Sequence, residues 1–493
     1  MPLLLNLNDS AQDKASPFMQ LIWFRQDLRI QDHAALWHAT QSGNCMALVI
    51  LSPEQWQRHD DSPAKQIFYL RQLETLKSQL NQLNIPLLIK RIPLWKDVPK
   101  EMLQLCLRLG IDTVHANIEI GVNELKRDAQ TQQNLEKHQI ALELYHDQTI
   151  FAVGSICNKS NQPYQVFSAF KKRSYELLGI GLPQCYPAVA KQEKIALNLE
   201  VENTKISASN YMPSHESDQL QQLWPVTEDY ALEILDNFID SKLEHYQQER
   251  DFPHLNSTSQ LSPYLNIGAV SIRQCLQAVF RKQNGYFHID NVGQQTWLDE
   301  LLWREFYQHI LYHYPAVSKH QPFKTNTQKI EWRNSEQDLI AWQQGQTGIP
   351  IVDAGMRQLL QTGWMHNRVR MITAMFLTKN LLIDWRLGEK WFMQHLIDGN
   401  LAANNGGWQW CASTGTDSVP YFRVFNPVSQ SQRFDKNGDY IRTWVPELAH
   451  LDAKKIHEPY AYEHDQTLHY PQAIVDLSRS RKRAIEVFKA IQL

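Results

Sequence analysis

The stretch DGNLAANNGGWQW, residues 398–410, distinguishes an ordinary helical bundle from one that holds a ligand. Its adjacent glycines, Gly406 and Gly407, interrupt a helical region, where each costs about 1 kcal/mol relative to alanine. Such glycines are explained when another group approaches the backbone closely. Asn404 and Trp408 are four residues apart, so they share one helix face. The stretch therefore predicts a planar ligand packed against this helix.

A second stretch upstream, Ser257-Thr258-Ser259-Gln260-Leu261-Ser262, concentrates small hydroxyl side chains before a helical pattern. Free backbone N–H groups and hydroxyls at a helix start can bind a phosphate. The same residues can simply cap the helix, and in isolation that explanation is the more ordinary one.

A third stretch, Trp297–Phe306, places Trp297, Glu300 and Arg304 on one helix face, with Trp303 beside them. A carboxylate between indole rings can accept a hydrogen bond from a base edge while the rings stack on the base. An i,i+4 ion pair between Glu300 and Arg304 is an equally good explanation.

In the fourth stretch, Gly363–Met371, the side chains of Asn367, Arg370 and Met371 share a face. Arg368 points away from that face and is expected to be free to meet a phosphate. Surface salt bridges are the usual alternative for such arginines. A buried amide and guanidinium among apolar side chains would need partners.

The N-terminal third alternates short apolar runs with helical spacing, which predicts strands near residues 21–24, 47–51, 87–89, 113–115 and 142–145. Strand–helix alternation favours a doubly wound parallel sheet. No GxGxxG follows the first strand, so a dinucleotide in the usual Rossmann position is not expected. The predicted organisation is an α/β domain over 18–146, a linker over 147–227 that is polar and weakly periodic from 191 to 222, and an all-helical domain over 228–482.

Charge, cysteine distribution and the lack of common motifs exclude several classes of protein. The chain has 493 residues and a net charge of -3, with no polybasic tail, so any nucleic-acid binding must come from a local basic surface. The six cysteines are scattered, which predicts free thiols and a cytoplasmic location. No apolar run is long enough to span a membrane, and no zinc, P-loop or GxSxG pattern occurs.

Taken together and in this order, the four stretches resemble the photolyase/cryptochrome family, and Trp23–Arg29 with Asp32 resembles its opening strand and turn. The resemblance covers about residues 20–480 and is strongest to class I cyclobutane pyrimidine dimer (CPD) photolyases of the bacterial, folate-antenna kind. It implies an α/β antenna domain and a helical domain that binds FAD.

The resemblance also assigns cofactor residues. FAD would be held by Tyr246, Thr258, Ser259, Gln260, Leu261, Ser262, Trp297, Arg370, Asp398, Gly399, Asn400 and Asn404. Within that set Asn404 would lie at flavin N5, and Arg370 would pair with Asp398. Trp408, Trp385 and Trp332 would form the electron-transfer chain that reduces the flavin in light. Asn123 and Glu124, followed by Arg127-Asp128, would bind a methenyltetrahydrofolate antenna together with Lys319.

UV-damaged DNA is the implied partner, with the dimer flipped out of the duplex and split by electron transfer from excited FADH⁻. Glu300 would hydrogen-bond the thymine, and a monomer without a protein partner would suffice. The implied DNA-contact residues are Arg250, Glu300, Trp303, Arg304, Asn367, Arg368, Met371, Trp410, Arg423 and Gln430.

Three positions depart from the family pattern: His33 replaces an Asn, Gln260 an Arg, and Asn400 the second Asp of Asp-Gly-Asp. The alternatives are a signalling cryptochrome, disfavoured by Asn404 and the absence of a long tail, and a (6-4) photolyase. The latter would need a histidine pair where this chain has His366-Asn367. A light-independent flavoprotein would not need the tryptophan chain, and a plain DNA-binding module does not fit the charge.

Overall fold

The structure, a computed structural model, describes residues 19–195, 197, 203–204, 212–461 and 468–491. Its N-terminal part is a five-stranded, fully parallel sheet in the order β3-β2-β1-β4-β5. The strands are β1 (Met19–Phe24), β2 (Asn44–Leu51), β3 (Leu87–Arg91), β4 (Ile111–Asn117) and β5 (Ala141–Tyr145). All five predicted strands, and the doubly wound parallel sheet, are confirmed.

Helices cover both faces of this sheet. Because alternate side chains of a strand point to opposite faces, each strand contributes to two cores. On β1, Leu21 and Trp23 join the core on one face of the sheet, whereas Ile22 and Phe24 join the core on the other face. The covering helices are α1 (Ala34–Ser42), α2 (Pro53–Arg58), α3 (Pro63–Gln82), α4 (Val98–Leu109) and α5 (Val122–Glu136).

The segment between the two domains contains two helices that the sequence did not predict, α6 (Phe167–Ile180) and α7 (Ser214–Leu223). The first is fixed by tertiary packing, since Phe167 stacks on Trp303 with ring centroids 3.7 Å apart. Residues 196, 198–202 and 205–211 of the predicted polar linker lie outside the described residues. The domain limits 18–146, 147–227 and 228–482 therefore stay a prediction.

From Glu228 onward the described chain is helical, as expected. Its helices are α8 (Glu228–Ser241), α9 (Tyr246–Glu249), α10 (Ser262–Ile267), α11 (Ile272–Val279), α12 (Val292–His313), α13 (Glu336–Gln343), α14 (Pro350–Thr362), α15 (Asn367–Met375), α16 (Trp385–His395), α17 (Leu401–Ala412), α18 (Pro427–Phe434), α19 (Asp439–Trp444) and α20 (Leu477–Ala490). None of the helices in the described ranges is long and apolar enough to cross a bilayer.

A buried ion-pair network joins the two domains. Asp147, just after β5, lies 2.7 Å from Nη2 of Arg29 and 2.6 Å from Nη2 of Arg273 on α11. Arg273 also pairs with Asp32 at 2.9 Å. Burial alone would raise the pKa of Asp147, but the two arginines hold it well below its usual range.

Replacing this carboxylate is expected to destabilise the whole fold. Asp147→Ala leaves two guanidinium groups without their shared partner, and breaking a buried pair in this way costs about 3–5 kcal/mol. The free energy of unfolding in urea measures the effect. As a control, Asp240→Ala removes an exposed partner of Arg281, for which a change of about 0–1 kcal/mol is expected. Equal losses in both variants would contradict the structural role of Asp147.

Candidate functional site

A cavity of about 400 Å³ lies at the carboxyl edge of the sheet, and we call it the edge cavity. Gln26 follows β1, Glu119 follows β4 and Gln148 follows β5, and all three line it. The helical domain closes the other side with residues that include Gln308 and Lys319. Parallel sheets bind ligands at this edge, so the fold supplies a ligand site without a glycine-rich motif.

The three antenna residues expected from the resemblance, Asn123, Glu124 and Lys319, all line the edge cavity. Burial, together with the neighbouring Glu119, raises the pKa of Glu124 to about 7. The amide of Asn123 contacts Nε2 of His59 at 3.0 Å.

Arg127 and Asp128, in contrast, are buried away from this cavity. The carboxylate of Asp128 is 2.6 Å from Arg25, and the guanidinium of Arg127 is 2.8 Å from Glu119 and lies over the ring of Trp23. Neither residue lines the edge cavity, so their contacts are structural.

Three polar atoms of residues around the edge cavity are buried without a hydrogen-bond partner. They are Oε1 of Gln26, Nε2 of Gln308 and Oγ of Ser318. Buried polar atoms are normally satisfied, so this wall is prepared for a ligand with both donors and acceptors.

A second cavity, of about 500 Å³, lies within the helical domain, and we call it the central cavity. Helices α9, α10, α12, α15 and α17 all contribute to its wall. It brings together most of the residues expected to bind flavin or DNA: Tyr246, Arg250, Ser259, Leu261, Ser262, Trp297, Glu300, Trp303, Arg304, Asn367, Arg368, Arg370, Met371, Asp398, Asn400 and Trp410.

The expected charged pair is present on the wall of the central cavity. Nη2 of Arg370 lies 2.9 Å from Oδ2 of Asp398, and its Nε donates to the carbonyl of Met365 at 2.7 Å. Ser262 donates its hydroxyl to the same carboxylate at 2.6 Å. Asp398 thus fixes both the guanidinium and the start of α10.

The two glycines of α17, Gly406 and Gly407, have different surroundings, and each surrounding explains in its own way why glycine is present. A Cβ at Gly406 would lie 2.2 Å from the ring of Tyr307 on α12, so this glycine permits close helix packing. A Cβ at Gly407 would meet nothing within 4 Å, and Gly407 lines the central cavity. Only Gly407 fits the expectation that a ligand approaches the backbone.

Two of the arginines at the expected DNA-contact positions, Arg250 and Arg368, are held in ion pairs. Nη1 of Arg250 is 2.5 Å from Oε1 of Glu300, and Nη2 of Arg368 is 2.7 Å from Oδ2 of Asp251. The prediction that Arg368 is free was wrong, because Asp251 and the ring of Phe434 hold it. The alternative ion pair between Glu300 and Arg304 is absent from the described contacts, since Arg250 takes the carboxylate.

Arg304 and Asn367 also differ from expectation. Arg304 lines both cavities and donates to the carbonyl of Gln148 at 2.7 Å, so it lies in the wall between the cavities rather than on an open DNA surface. Asn367 was predicted to be buried but is exposed, because it begins α15 at the cavity rim.

Four expected flavin residues do not line the central cavity: Thr258, Gln260, Gly399 and Asn404. Gln260 is exposed and has a left-handed φ of 52°. Asn404 donates its side-chain N–H to the carbonyl of Glu389 at 2.9 Å. Its neighbours on the helix, Ala403 and Gly407, line the cavity instead.

The three tryptophans of the expected electron-transfer chain lie on or beside α16 and α17, since Trp385 begins α16, Trp408 belongs to α17 and Trp332 packs against their shared core. Trp408 and Trp385 are buried and Trp332 is half-buried against the same core. A Cβ at Gly388 would lie 2.1 Å from the ring of Trp408, so that ring rests on α16 one turn from Trp385. Trp408 and Trp385 are both fully buried, and Trp332 is the member of the expected chain that reaches the surface.

Arg423 and Gln430 lie outside both cavities. Arg423 is exposed next to Phe422, whose side chain is 55% exposed. Gln430 is half-buried on α18. Their role as DNA contacts stays a prediction.

The substitutions at His33 and Asn400 are accommodated locally. His33 caps α1 by accepting from the N–H of Leu36 at 3.0 Å, and its other ring nitrogen is 3.1 Å from Asp27. Asn400 caps α17 through the N–H of Ala403 and lines both cavities. Both side chains therefore have a capping role at these positions.

Sequence reasoning missed part of the central cavity wall. Trp364, Met365, Ala403 and Leu301 lie within the quoted stretches, and their spacing could have identified them. Asn266 and Tyr307 carry no such signal, because only the tertiary arrangement of α10 and α12 around the cavity brings them to the wall. The missed residues are Leu265, Asn266, Leu301, Tyr307, Trp364, Met365, Ala403 and Cys411.

Comparisons with known proteins agree with this arrangement. Residues 20–188 match the family model "DNA photolyase", and residues 297–490 match "FAD binding domain of DNA photolyase". The chain is 41% identical over 481 residues to the deoxyribodipyrimidine photo-lyase of Escherichia coli, covering 95% of this chain and 98% of that protein. Among solved structures, a class III photolyase from Agrobacterium tumefaciens is similar with a TM-score of 0.86 and 33% identity, covering 98% of this chain and all of that one. A Synechocystis cryptochrome is similar with a TM-score of 0.84 and 27% identity, covering 96% of this chain and all of that one. On this sequence and structural similarity, the chain belongs to the photolyase/cryptochrome family.

Proposed function

We propose that this protein is a deoxyribodipyrimidine photo-lyase that uses FAD and light to split cyclobutane pyrimidine dimers in DNA. One observation carries the proposal beyond family membership. The central cavity is continuous from an aromatic and carboxylate mouth, with Glu300, Trp303 and Trp410, to an Arg370–Asp398 wall. A flipped pyrimidine dimer and a flavin can therefore meet in a single cavity.

The residues of the central cavity fit FAD. Among the described hydrogen bonds, Arg304 has a single acceptor, the carbonyl of Gln148, so the remaining guanidinium N–H groups are free for a diphosphate. Ser259 and Ser262 lie on the same wall, and the apolar rings of Trp297 and Trp364 line it as well.

Reduced FAD, when bound and excited by light, supplies the electron that opens the cyclobutane ring. The protein's own residues bind and orient the lesion. Trp303, held by its stack on Phe167, and Trp410 give an apolar wall that excludes water. Glu300 offers carboxylate oxygens to the imide N–H groups of thymine.

A (6-4) photolyase fits the cavity less well. His366 is buried at the start of α15, where its Nδ1 accepts from the N–H of Arg368, and it does not line the central cavity. No histidine lines the described wall, whereas Asn367 and Met371 do.

Light-dependent repair tests the proposal. Protein with chemically reduced flavin is mixed with an oligonucleotide that carries one thymine cyclobutane dimer, and recovery of thymine absorbance is followed in light and in darkness. Repair only in light is expected. Binding of the lesion without repair would indicate a photoreceptor instead.

We further propose methenyltetrahydrofolate as the antenna in the edge cavity. Glu124 can accept from the pterin amino group, and Asn123 and Lys319 lie on the same wall. The unpartnered atoms of Gln26 and Gln308 add an acceptor and a donor. Folate extracted from the purified protein would support this assignment, and a second flavin in its place would contradict it.

Folate binding is expected to strengthen as pH rises. Because burial raises the pKa of Glu124 to about 7, this group is partly protonated at neutral pH, and only its ionised form can accept from the pterin with both oxygens and a full negative charge. Affinity should therefore fall by about tenfold for each pH unit below 7 and level off above it. Fluorescence titration between pH 5.5 and 8.5 measures this, with Glu124→Gln as the matched control. A profile that is equally steep in the Gln variant would remove Glu124 from the site.

The working compartment follows from the substrate. Chromosomal DNA and six cysteines that form no disulfide suit the reducing cytoplasm. One chain supplies every residue of both cavities, so we propose that a monomer is sufficient.

A further inference from the structure

The mouth of the central cavity holds two arginines, and both are already neutralised by carboxylates. Arg250 pairs with Glu300 at 2.5 Å, and Arg368 pairs with Asp251 through two contacts of 2.7 and 3.2 Å. The two pairs are adjacent, since Oδ1 of Asp251 is also 3.9 Å from Nε of Arg250. A DNA phosphate that approaches either arginine therefore competes with a carboxylate for the same guanidinium charge.

The two carboxylates differ in what displacement costs. Among the described contacts Arg250 is the sole side-chain partner of Glu300, and burial raises the pKa of Glu300. If Arg250 turned to a phosphate, this partly buried carboxylate would lose its partner, which is unfavourable. Glu300 also lines the cavity, whereas Asp251 does not.

We propose that the Arg250–Glu300 pair is a specificity-determining partner exchange, in which Arg250 turns to a DNA phosphate only when a flipped pyrimidine dimer gives Glu300 new hydrogen-bond donors. The inference rests on the proposed function and deepens it. Thymine imide N–H groups replace the guanidinium on Glu300, so the lesion compensates for the broken ion pair. Undamaged duplex keeps its bases stacked and offers no such donors.

The adjacent Arg368–Asp251 pair should behave differently. Asp251 lies outside the cavity wall, so no base edge replaces Arg368 on its carboxylate. Removing the Asp251 charge frees Arg368 for phosphates of damaged and undamaged DNA alike. This pair therefore provides an internal control on the same surface.

Binding in darkness tests the exchange separately from catalysis. Flavin-loaded protein is titrated against a fluorescent duplex with or without one thymine cyclobutane dimer, at several salt concentrations. Glu300→Gln is expected to tighten binding to undamaged DNA by about threefold or more and to steepen its salt dependence by about one phosphate contact. Binding to the dimer should not tighten, so discrimination falls by the same factor, about threefold or more.

The control variants have distinct expectations. Asp251→Asn should tighten binding to both duplexes by similar factors and leave their ratio unchanged. Glu136→Gln, which removes an exposed carboxylate of α5, should change neither. In the double variant with Arg250→Gln, the gain of Glu300→Gln on undamaged DNA should vanish, because Arg250 is the group that is released.

Arg250→Gln alone tests the exchange without changing Glu300. It should weaken binding to the dimer far more than to undamaged DNA, and equal weakening would overturn the proposal. Unchanged binding of Glu300→Gln to undamaged DNA would also overturn it. If the unaltered protein itself does not prefer the dimer, the proposed function fails, whereas a preserved preference with these negative results rejects only the exchange.

Discussion

Gly407→Leu is expected to yield a folded protein that contains less than about a tenth of the normal FAD. A side chain at this position enters the central cavity, because a Cβ there meets no atom within 4 Å and Gly407 lines the wall. Leucine is also a better helix former than glycine, so α17 should not be weakened. Flavin absorbance per protein measures the first effect, and circular dichroism with a thermal melt measures the second.

The neighbouring glycine provides the matched control. Gly406→Ala places a Cβ 2.2 Å from the ring of Tyr307, and overpacking of this kind costs about 1–3 kcal/mol. It should lower the melting temperature without a specific loss of flavin. Normal flavin content in Gly407→Leu would show that the cofactor does not approach this backbone.

The fold could be predicted from the sequence because its signals are local. Strand–helix alternation in the sequence identified all five strands. Helix α6 was missed because its position depends on the stack of Phe167 on Trp303, a contact between residues 136 positions apart in the chain.

The site residues could be predicted from the sequence only where several of them lie close together in the chain. Most flavin and lesion residues lie in four short stretches, so their motif was sufficient to place them on one wall. The partners of Arg250 and Arg368 could not be read in this way. Glu300 reaches Arg250 from another helix, and Asp251 reaches Arg368 across more than a hundred residues.

Trp408→Phe is expected to reduce the rate of flavin photoreduction by more than about tenfold while repair with chemically reduced flavin stays within about twofold. In the proposed chain, Trp408 is the indole that donates first to the flavin. A phenyl ring is a much poorer electron donor, so the substitution should interrupt the chain at its first step. Repair itself should be spared because Trp408 does not line the central cavity, where the expected lesion contacts lie. Illumination of the oxidised protein with an external reductant, followed by flavin absorbance, measures the effect.

A second buried tryptophan near Trp408 makes it possible to test whether the route of the electrons, rather than the mere presence of nearby tryptophans, controls photoreduction. Trp342 lies 5.9 Å from Trp408 between ring centroids, and it is fully buried, with its N–H donated to the carbonyl of Thr373. Trp332, at the other end of the proposed chain, is half-buried and can exchange electrons with a reductant in solution. Trp342→Phe should therefore leave photoreduction intact, whereas Trp332→Phe should slow it. If loss of Trp342 and loss of Trp332 had equal effects, proximity to Trp408 rather than a route to the surface would govern the reaction, and the order 408, 385, 332 would have to be abandoned.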